Sequence, residues 1–375
     1  MHRFRLVTTA GLEPAVVVEL SRLGLPSGAT GRGYVYCDAT AEDGVRLVLS
    51  IRSASRVILE LAQGLPNEKD ALVGALCDLP WEEWIPPRTP WAVRATGRSP
   101  ELRHSSYAAQ INKDAIRDRF RARGRECPPI DLEAPRLLVD LRIDRRAASI
   151  GLDLGGGSLH ERGTGRKVEA PIREHVAAGL ALLAEPRPDE PIVDPLCGSG
   201  TLIAEAAAIA LGLPAGRRLE RTALPRLALF RRLPLGEIAR ALCARAVPEH
   251  APFLAFDHLE SATRVTRMSL DRLGLSSQIR VATCALDKLE TTHWGQRGLI
   301  ISNPPWGLRL SAQDASRAWR GLGSLARRLP GWKLALLSGE RGITRELGLK
   351  ADRRYPVRVG GVDARWLLYT MRQRA

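Results

Sequence analysis

At 375 residues the chain is long enough for two or three domains, and its 45% hydrophobic content is ample for real cores, so it is globular. Its 56 Lys and Arg against 41 Asp and Glu give a formal charge of +15, which favours nucleic acid or an anionic membrane surface as partner, although an arginine-rich proteome would give the same balance. Six cysteines without CxxC spacing, no uncharged apolar run of about 18 residues and no apolar leader segment argue against a metal site, a disulfide framework and a membrane span, leaving a soluble cytoplasmic protein as the expectation.

In chain order, residues 4–8 and 33–37 read as short strands around a helix built on Leu12, Val16, Val17, Leu20 and Leu23, a small α+β unit over 1–45. A second unit, 46–155, alternates helical patterns (45–50, 69–76 and 107–123) with short strands (57–61, 91–95, 136–143 and 148–152). Its helix over 105–123 sets Lys113, Arg117, Arg119, Arg121 and Arg123 around an apolar face of Ala108, Ile111, Ala115 and Ile116. That basic surface suits phosphate contacts or is simply a solvated helix face. Residues 156–188 hold a glycine-rich junction and a leading helix over 171–184.

From 189 to 375 the pattern becomes strand, helix, strand, helix, with strands at 192–193, 253–256, 279–283, 299–302 and 332–337 and helices at 201–213 and 261–273. Short apolar runs separated by helical spacing predict a doubly wound, mostly parallel sheet. An Arg- and Pro-rich insertion interrupts it between Pro214 and Pro248.

Two motifs follow strands of this last unit. In Asp194-Pro195-Leu196-Cys197-Gly198-Ser199-Gly200-Thr201 the glycines make the backbone itself a binding surface, and Thr201 opens a helix whose amides and dipole favour a carboxylate. The third glycine of a dinucleotide loop is replaced by Ile203, and no Walker lysine follows. The motif therefore suits the amino-acid end of S-adenosylmethionine, with Asp194 accepting from the ammonium. Asp257, at the end of the next strand, can take both hydroxyls of a ribose or cap a helix. In Asn303-Pro304-Pro305-Trp306-Gly307, the Asn303 side-chain oxygen and the Pro304 carbonyl can each accept an N–H of an exocyclic amine, Trp306 can stack on its base, and the prolines stiffen the loop.

These residues resemble the bacterial THUMP-domain class I RNA methyltransferases that modify guanine N2, especially in large-subunit ribosomal RNA. The resemblance extends to Gly11-Leu12-Glu13, the run 51–57, the runs 158–163 and 169–174, and 360–365 near the end. It implies an α/β protein in which a Rossmann-like methyltransferase domain (189–375) follows an α+β ferredoxin-like unit (1–45), a THUMP RNA-binding domain (46–155) and a linker with its leading helix (156–188). S-adenosylmethionine would be the cofactor, held by Asp194, Pro195, Cys197, Gly198, Ser199, Gly200, Thr201, Asp257, Ala285 and Asn303. Asn303 to Trp306 would hold the target base. The implied partner is RNA, ribosomal ahead of transfer RNA; the oligomeric state stays open with a monomer favoured, and a non-catalytic RNA-binding or ribosome-assembly protein is the alternative. Three positions depart from the family pattern: Leu259 replaces a second acid, Ser269 an Asn, and Ala285 the Asp that meets the adenine amino group, with Asp287 two residues further on.

Overall fold

Two seven-stranded sheets organise the chain in the computed structural model, which describes residues 1–157, 159, 172–216, 218–244, 246–306 and 312–372. Ser158, the segment 160–171 and Gly307, which carried part of the resemblance, lie outside the described residues.

The first sheet is built from β1 (His2–Val7), β2 (Thr30–Gly31), β3 (Tyr34–Ala39), β4 (Arg56–Leu65), β5 (Trp91–Gly97), β6 (Leu137–Ile143) and β7 (Ala148–Asp153), in the order β2-β3-β1-β4-β7-β6-β5. Phe4 and Leu6 on β1, Val35 and Cys37 on β3, and Val57 and Leu59 on β4 alternate inward into one core. The helices of this half are α1 (Glu13–Arg22), α2 (Ala41–Ser50), α3 (Lys69–Asp78), α4 (Trp81–Trp84) and α5 (Ser105–Ala122). A reciprocal capping box between Thr40 and Asp43 starts α2. The expected division at 45/46 falls inside this helix, and β4 beyond it pairs antiparallel with β1. The physical reason is that β1 needs partners on both edges, so its unit is completed only by the chain past residue 55. Arg5 on β1 also reaches across to Asp140 on β6 at 2.9 Å and pairs with Glu60 on β4, tying three strands of the sheet together through side chains.

The second half begins with α6 (Glu174–Ala184) and β8 (Ile192–Asp194), followed by α7 (Thr201–Ala210), α8 (Ala228–Arg231), α9 (Leu235–Cys243), β9 (Phe253–Asp257) and α10 (Glu260–Leu273). It continues through β10 (Ile279–Thr283), β11 (Leu299–Ser302), α11 (Ala312–Arg327), β12 (Lys333–Ser338), β13 (Arg353–Val359) and β14 (Val362–Thr370). The strand order is β10-β9-β8-β11-β12-β14-β13; the first five run parallel, β14 pairs antiparallel with β12, and β13 pairs antiparallel with β14 at the edge. The order reverses between β8 and β11. In such sheets the crevice outside the carboxyl ends of the strands at the reversal is where ligands bind.

The two halves are fastened together. Leu12 and Ala15 of the first unit lie in the core of the second, against α6. The main fastening is Arg52, whose guanidinium donates to Glu205 on α7 at 2.9 Å and to the carbonyls of Leu213 and Pro214 just past that helix. Its backbone amide, with that of Ser53, is held in turn by Glu19 on α1. We expect Arg52→Ala to lower unfolding free energy by about 3 kcal/mol, because a nearly buried carboxylate and two carbonyls lose one shared cation. Urea denaturation would measure it, and Arg52→Lys should recover part of the loss.

The Arg-rich insertion returns to the first half. Ala223, Leu224, Leu227 and Phe230 are buried in the first core, where α8 and α9 contact α2. No described helix is long and apolar enough to cross a membrane.

Candidate active site

Four strand ends converge at the β8/β11 reversal. β8 ends on Asp194, which is 1% exposed; its Oδ1 accepts from the Ser302 hydroxyl at 2.7 Å and from the Leu196 amide at 3.1 Å. Burial pushes the Asp194 carboxyl up to about 7; the two hydrogen bonds oppose that shift, and nearby Asp257 adds to it. Among the described residues the group is thus a carboxyl without a cation of its own, held in place by donors.

Beyond it, Cys197 through Gly200 form a tight turn closed by the Gly200 amide on the Cys197 carbonyl at 2.8 Å. Gly198 and Gly200 have φ of 54° and 75°, and Gly200 is the residue from which α7 springs. A Cβ on Gly200 would lie 2.6 Å from the Thr266 methyl, whereas one on Gly198 would point into open space. Thr266, on α10, donates to the Gly198 carbonyl at 2.8 Å and buttresses the turn from below. Pro195, Cys197 and Thr201 are buried, and the Ser199 and Thr201 hydroxyls lie 3.0 Å apart.

Asp257 closes β9 beside this turn and is 7% exposed. One carboxylate oxygen accepts from the Gly198 amide at 3.1 Å and the other from the Leu259 amide at 3.0 Å. The oxygen bound by Leu259 also lies 3.3 Å from His258 Nδ1, whereas the one bound by Gly198 keeps a lone pair, so Asp257 serves both as a cap at the start of α10 and as an acceptor at the turn. Ala285 follows β10 and is half-buried; the preceding Cys284 amide donates to the Asp257 carbonyl at 2.9 Å. Its methyl side chain offers no acceptor, and Asp287 is exposed.

β11 ends on Ser302 and leads directly into Asn303. Here the indole Nε1 of Trp306 donates to the Asn303 side-chain oxygen at 3.0 Å, which fixes the amide's orientation and leaves that oxygen a second lone pair. Pro304 is buried, and the Pro305 carbonyl accepts from Trp319 on α11 at 3.0 Å. Trp306 is half-buried and lies against Gly339, where any Cβ would come within 2.2 Å of its ring.

Ser302 and Thr266 are the two participants that motif reading passes over. Ser302 ties the carboxylate of one motif to the strand that carries the other. Thr266 has a visible signal: Thr263, Thr266 and Ser269 recur on one face of α10, and that face is buried.

A doubly wound sheet with a glycine turn after its first strand and an Asn-Pro-Pro loop after its fourth defines a Rossmann-like methyltransferase domain. The chain belongs to the family described as "RMKL-like, methyltransferase domain", which matches residues 163–367. Upstream, the RlmL ferredoxin-like domain matches 3–58 and the THUMP domain 67–153. A ribosomal RNA large subunit methyltransferase K/L of Syntrophotalea carbinolica is 33% identical over 97% of this chain and 53% of its own length. The chain spans about half the length of the curated relatives it matches. Among solved structures, a possible methylase from Clostridium difficile 630 superposes with a TM-score of 0.89 at 22% identity, covering 100% of this chain and 99% of that one. SMU.472, solved in complex with SAH, superposes at 0.84 with 25% identity, covering 100% of this chain and 99% of that one.

Proposed function

We propose that the protein methylates the exocyclic N2 of a guanosine in structured RNA, that of the large ribosomal subunit, with S-adenosylmethionine as donor. The observation that carries this reading is the Ser302–Asp194 hydrogen bond, which sets the Asn-Pro-Pro loop directly beside the glycine turn. The relatives named as large-subunit ribosomal RNA methyltransferases and the SAH held by SMU.472 support the substrate and the cofactor.

The residues present fit the cofactor. The open side of Gly198 leaves a cradle, and the raised Asp194 carboxyl suits a ligand that brings a cation. Asp194 would hold the ammonium, the turn from Pro195 to Thr201 with the first amides of α7 the carboxylate, and Asp257 the ribose. Ala285 would border the adenine through backbone and methyl contacts. When bound, the cofactor supplies an electrophilic methyl group on a sulfonium.

The chain's own work is on the nucleophile. An aromatic amine is a poor nucleophile because its lone pair is delocalised into the ring. Asn303 Oδ1 and the Pro304 carbonyl accept the two N–H groups and turn the lone pair out of the ring. No general base is required, because the methylated amine releases its proton to solvent. The half up to residue 155 would bind the RNA, and the half from 189 would carry the chemistry.

The test is transfer of radiolabelled methyl to total RNA from a strain lacking the gene, separated by size and digested to nucleosides. We expect label in N2-methylguanosine of the large ribosomal RNA. Label in transfer RNA would move the substrate, label in another nucleoside would move the target atom, and no label from a folded, cofactor-binding protein would overturn the activity.

A further inference from the structure

We propose that the strap joining α7 to β9, together with Arg136 beside it, is a phosphate-binding surface that grips the backbone of the RNA substrate. This deepens the proposed function and rests on RNA being the substrate.

The strap's side chains divide cleanly. Leu224, Leu227 and Phe230 are buried in the first core, so its short helices are held firmly on α2. Its other side exposes Arg218, Arg221, Arg231 and Arg232, and among the described residues none of them, nor exposed Arg136, makes an ion pair with a carboxylate. Arg226 is half-buried and donates to the Thr222 carbonyl at 2.6 Å. Burial, and after it the charge of Arg136, hold the Arg226 guanidinium below its ordinary range. Like charges repel, and a phosphate bound between Arg226 and Arg136 would relieve that repulsion. The planar guanidinium fork matches a phosphate oxygen pair.

The helix that the sequence offered for this role behaves differently. On α5, Arg119 and Arg123 share Glu82 at 2.9 and 3.7 Å, Arg121 pairs with Asp118 at 2.7 Å, and Arg117 with Asp114 at 3.8 Å. Its charge is largely answered within the protein, whereas the strap's is not. Nor does the strap suit a lipid surface, since among the described residues its one large exposed apolar side chain, Val247, stands alone and lies past the short helices that carry the arginines. The strap begins just past the C-terminal end of α7, whose N-terminus carries the glycine turn. Ten helical residues set the start of the strap roughly 15 Å from the turn.

Filter binding of deproteinised large-subunit ribosomal RNA by the full chain, across a salt series, tests the proposal, with cofactor titration of each variant as the check on folding. Arg231→Glu with Arg232→Glu should weaken binding at least about tenfold at moderate salt and reduce the slope of log affinity against log salt by about two. Arg136→Glu, on a separate element, should act in the same direction. The matching lysine variants should stay within about threefold of wild type, and Arg117→Glu with Arg121→Glu within about twofold, because lysine keeps the charge and the α5 charges are already paired. Wild-type affinity in the strap variants, or an equal loss in the α5 variant, would overturn the proposal. So would strap variants that lose binding to phosphatidylglycerol vesicles and keep RNA. A wild-type chain that binds cofactor but no RNA would instead overturn the substrate assigned above, and this surface with it.

Discussion

Asn303→Ala should lower the rate of methyl transfer by about 10²- to 10³-fold while leaving affinity for S-adenosylmethionine within about twofold. The asymmetry follows from where the side chain's oxygen points. It is fixed by the Trp306 indole at 3.0 Å and keeps one lone pair for an amine N–H, and the Pro304 carbonyl offers the second acceptor. Losing one of two acceptors removes a stabilisation that grows as the nitrogen becomes tetrahedral, so kcat falls more than KM rises. The cofactor's proposed partners, Asp194, the glycine turn and Asp257, are held by Ser302, Thr266 and backbone amides, none of which involves the Asn303 side chain. Single-turnover kinetics beside calorimetric cofactor titration separates the two effects. Turnover near wild type would sink the amine clamp, and a parallel loss of cofactor affinity would show that Asn303 supports the donor site instead.

What could be read from the sequence was the part whose chemistry is local. The glycine turn and the Asn-Pro-Pro loop each need a few adjacent residues in one conformation, and strand ends with alternating helices announced the doubly wound sheet. Contacts distant along the chain gave no such signal. Arg52 meets Glu205 across 153 positions and Arg5 meets Asp140 across 135, and nothing in either neighbourhood names its partner. The insertion after Pro214 was legible as Arg- and Pro-rich, but which sheet would bury Leu224 and Phe230 depends on a cavity formed by α2 and β-strands far upstream. The basic helix α5 shows the converse hazard. Its arginines are plain in the sequence, yet Glu82, the acid that answers two of them, belongs to another helix. Ser302 was hidden by its ordinariness: a serine next to a motif becomes significant only when the neighbouring strand is known to end in a buried carboxylate.

That buried carboxylate sets stability against binding. Asp194→Asn should make the free protein more stable above pH 7 by a few kcal/mol and make it a much poorer binder of S-adenosylmethionine. In the folded protein burial holds the carboxyl at about 7, well above its ordinary value of about 3.9 in an unfolded chain. The folded state therefore binds the extra proton between roughly pH 4 and 7, and stability falls as pH rises through that window, by up to roughly 1.4 kcal/mol for each pH unit. An asparagine cannot ionise, and its oxygen can still accept from Ser302 and Leu196, so the variant should not share this decline. Below about pH 4, where the aspartic acid is neutral in both states, the two proteins should converge. Binding should run the other way. The ionised carboxylate that destabilises the free protein is the counter-charge proposed above for the cofactor's ammonium. Wild-type affinity should accordingly rise by up to about tenfold per pH unit below 7 and then level off, while the variant's stays weak and less sensitive to pH. Chemical denaturation and calorimetry from about pH 5 to 8.5 measure both sides of this linkage. A wild-type protein that gains stability relative to the variant as pH rises would show that Asp194 is already ionised and satisfied without a ligand, and would remove the electrostatic reason for assigning it to the cofactor's ammonium.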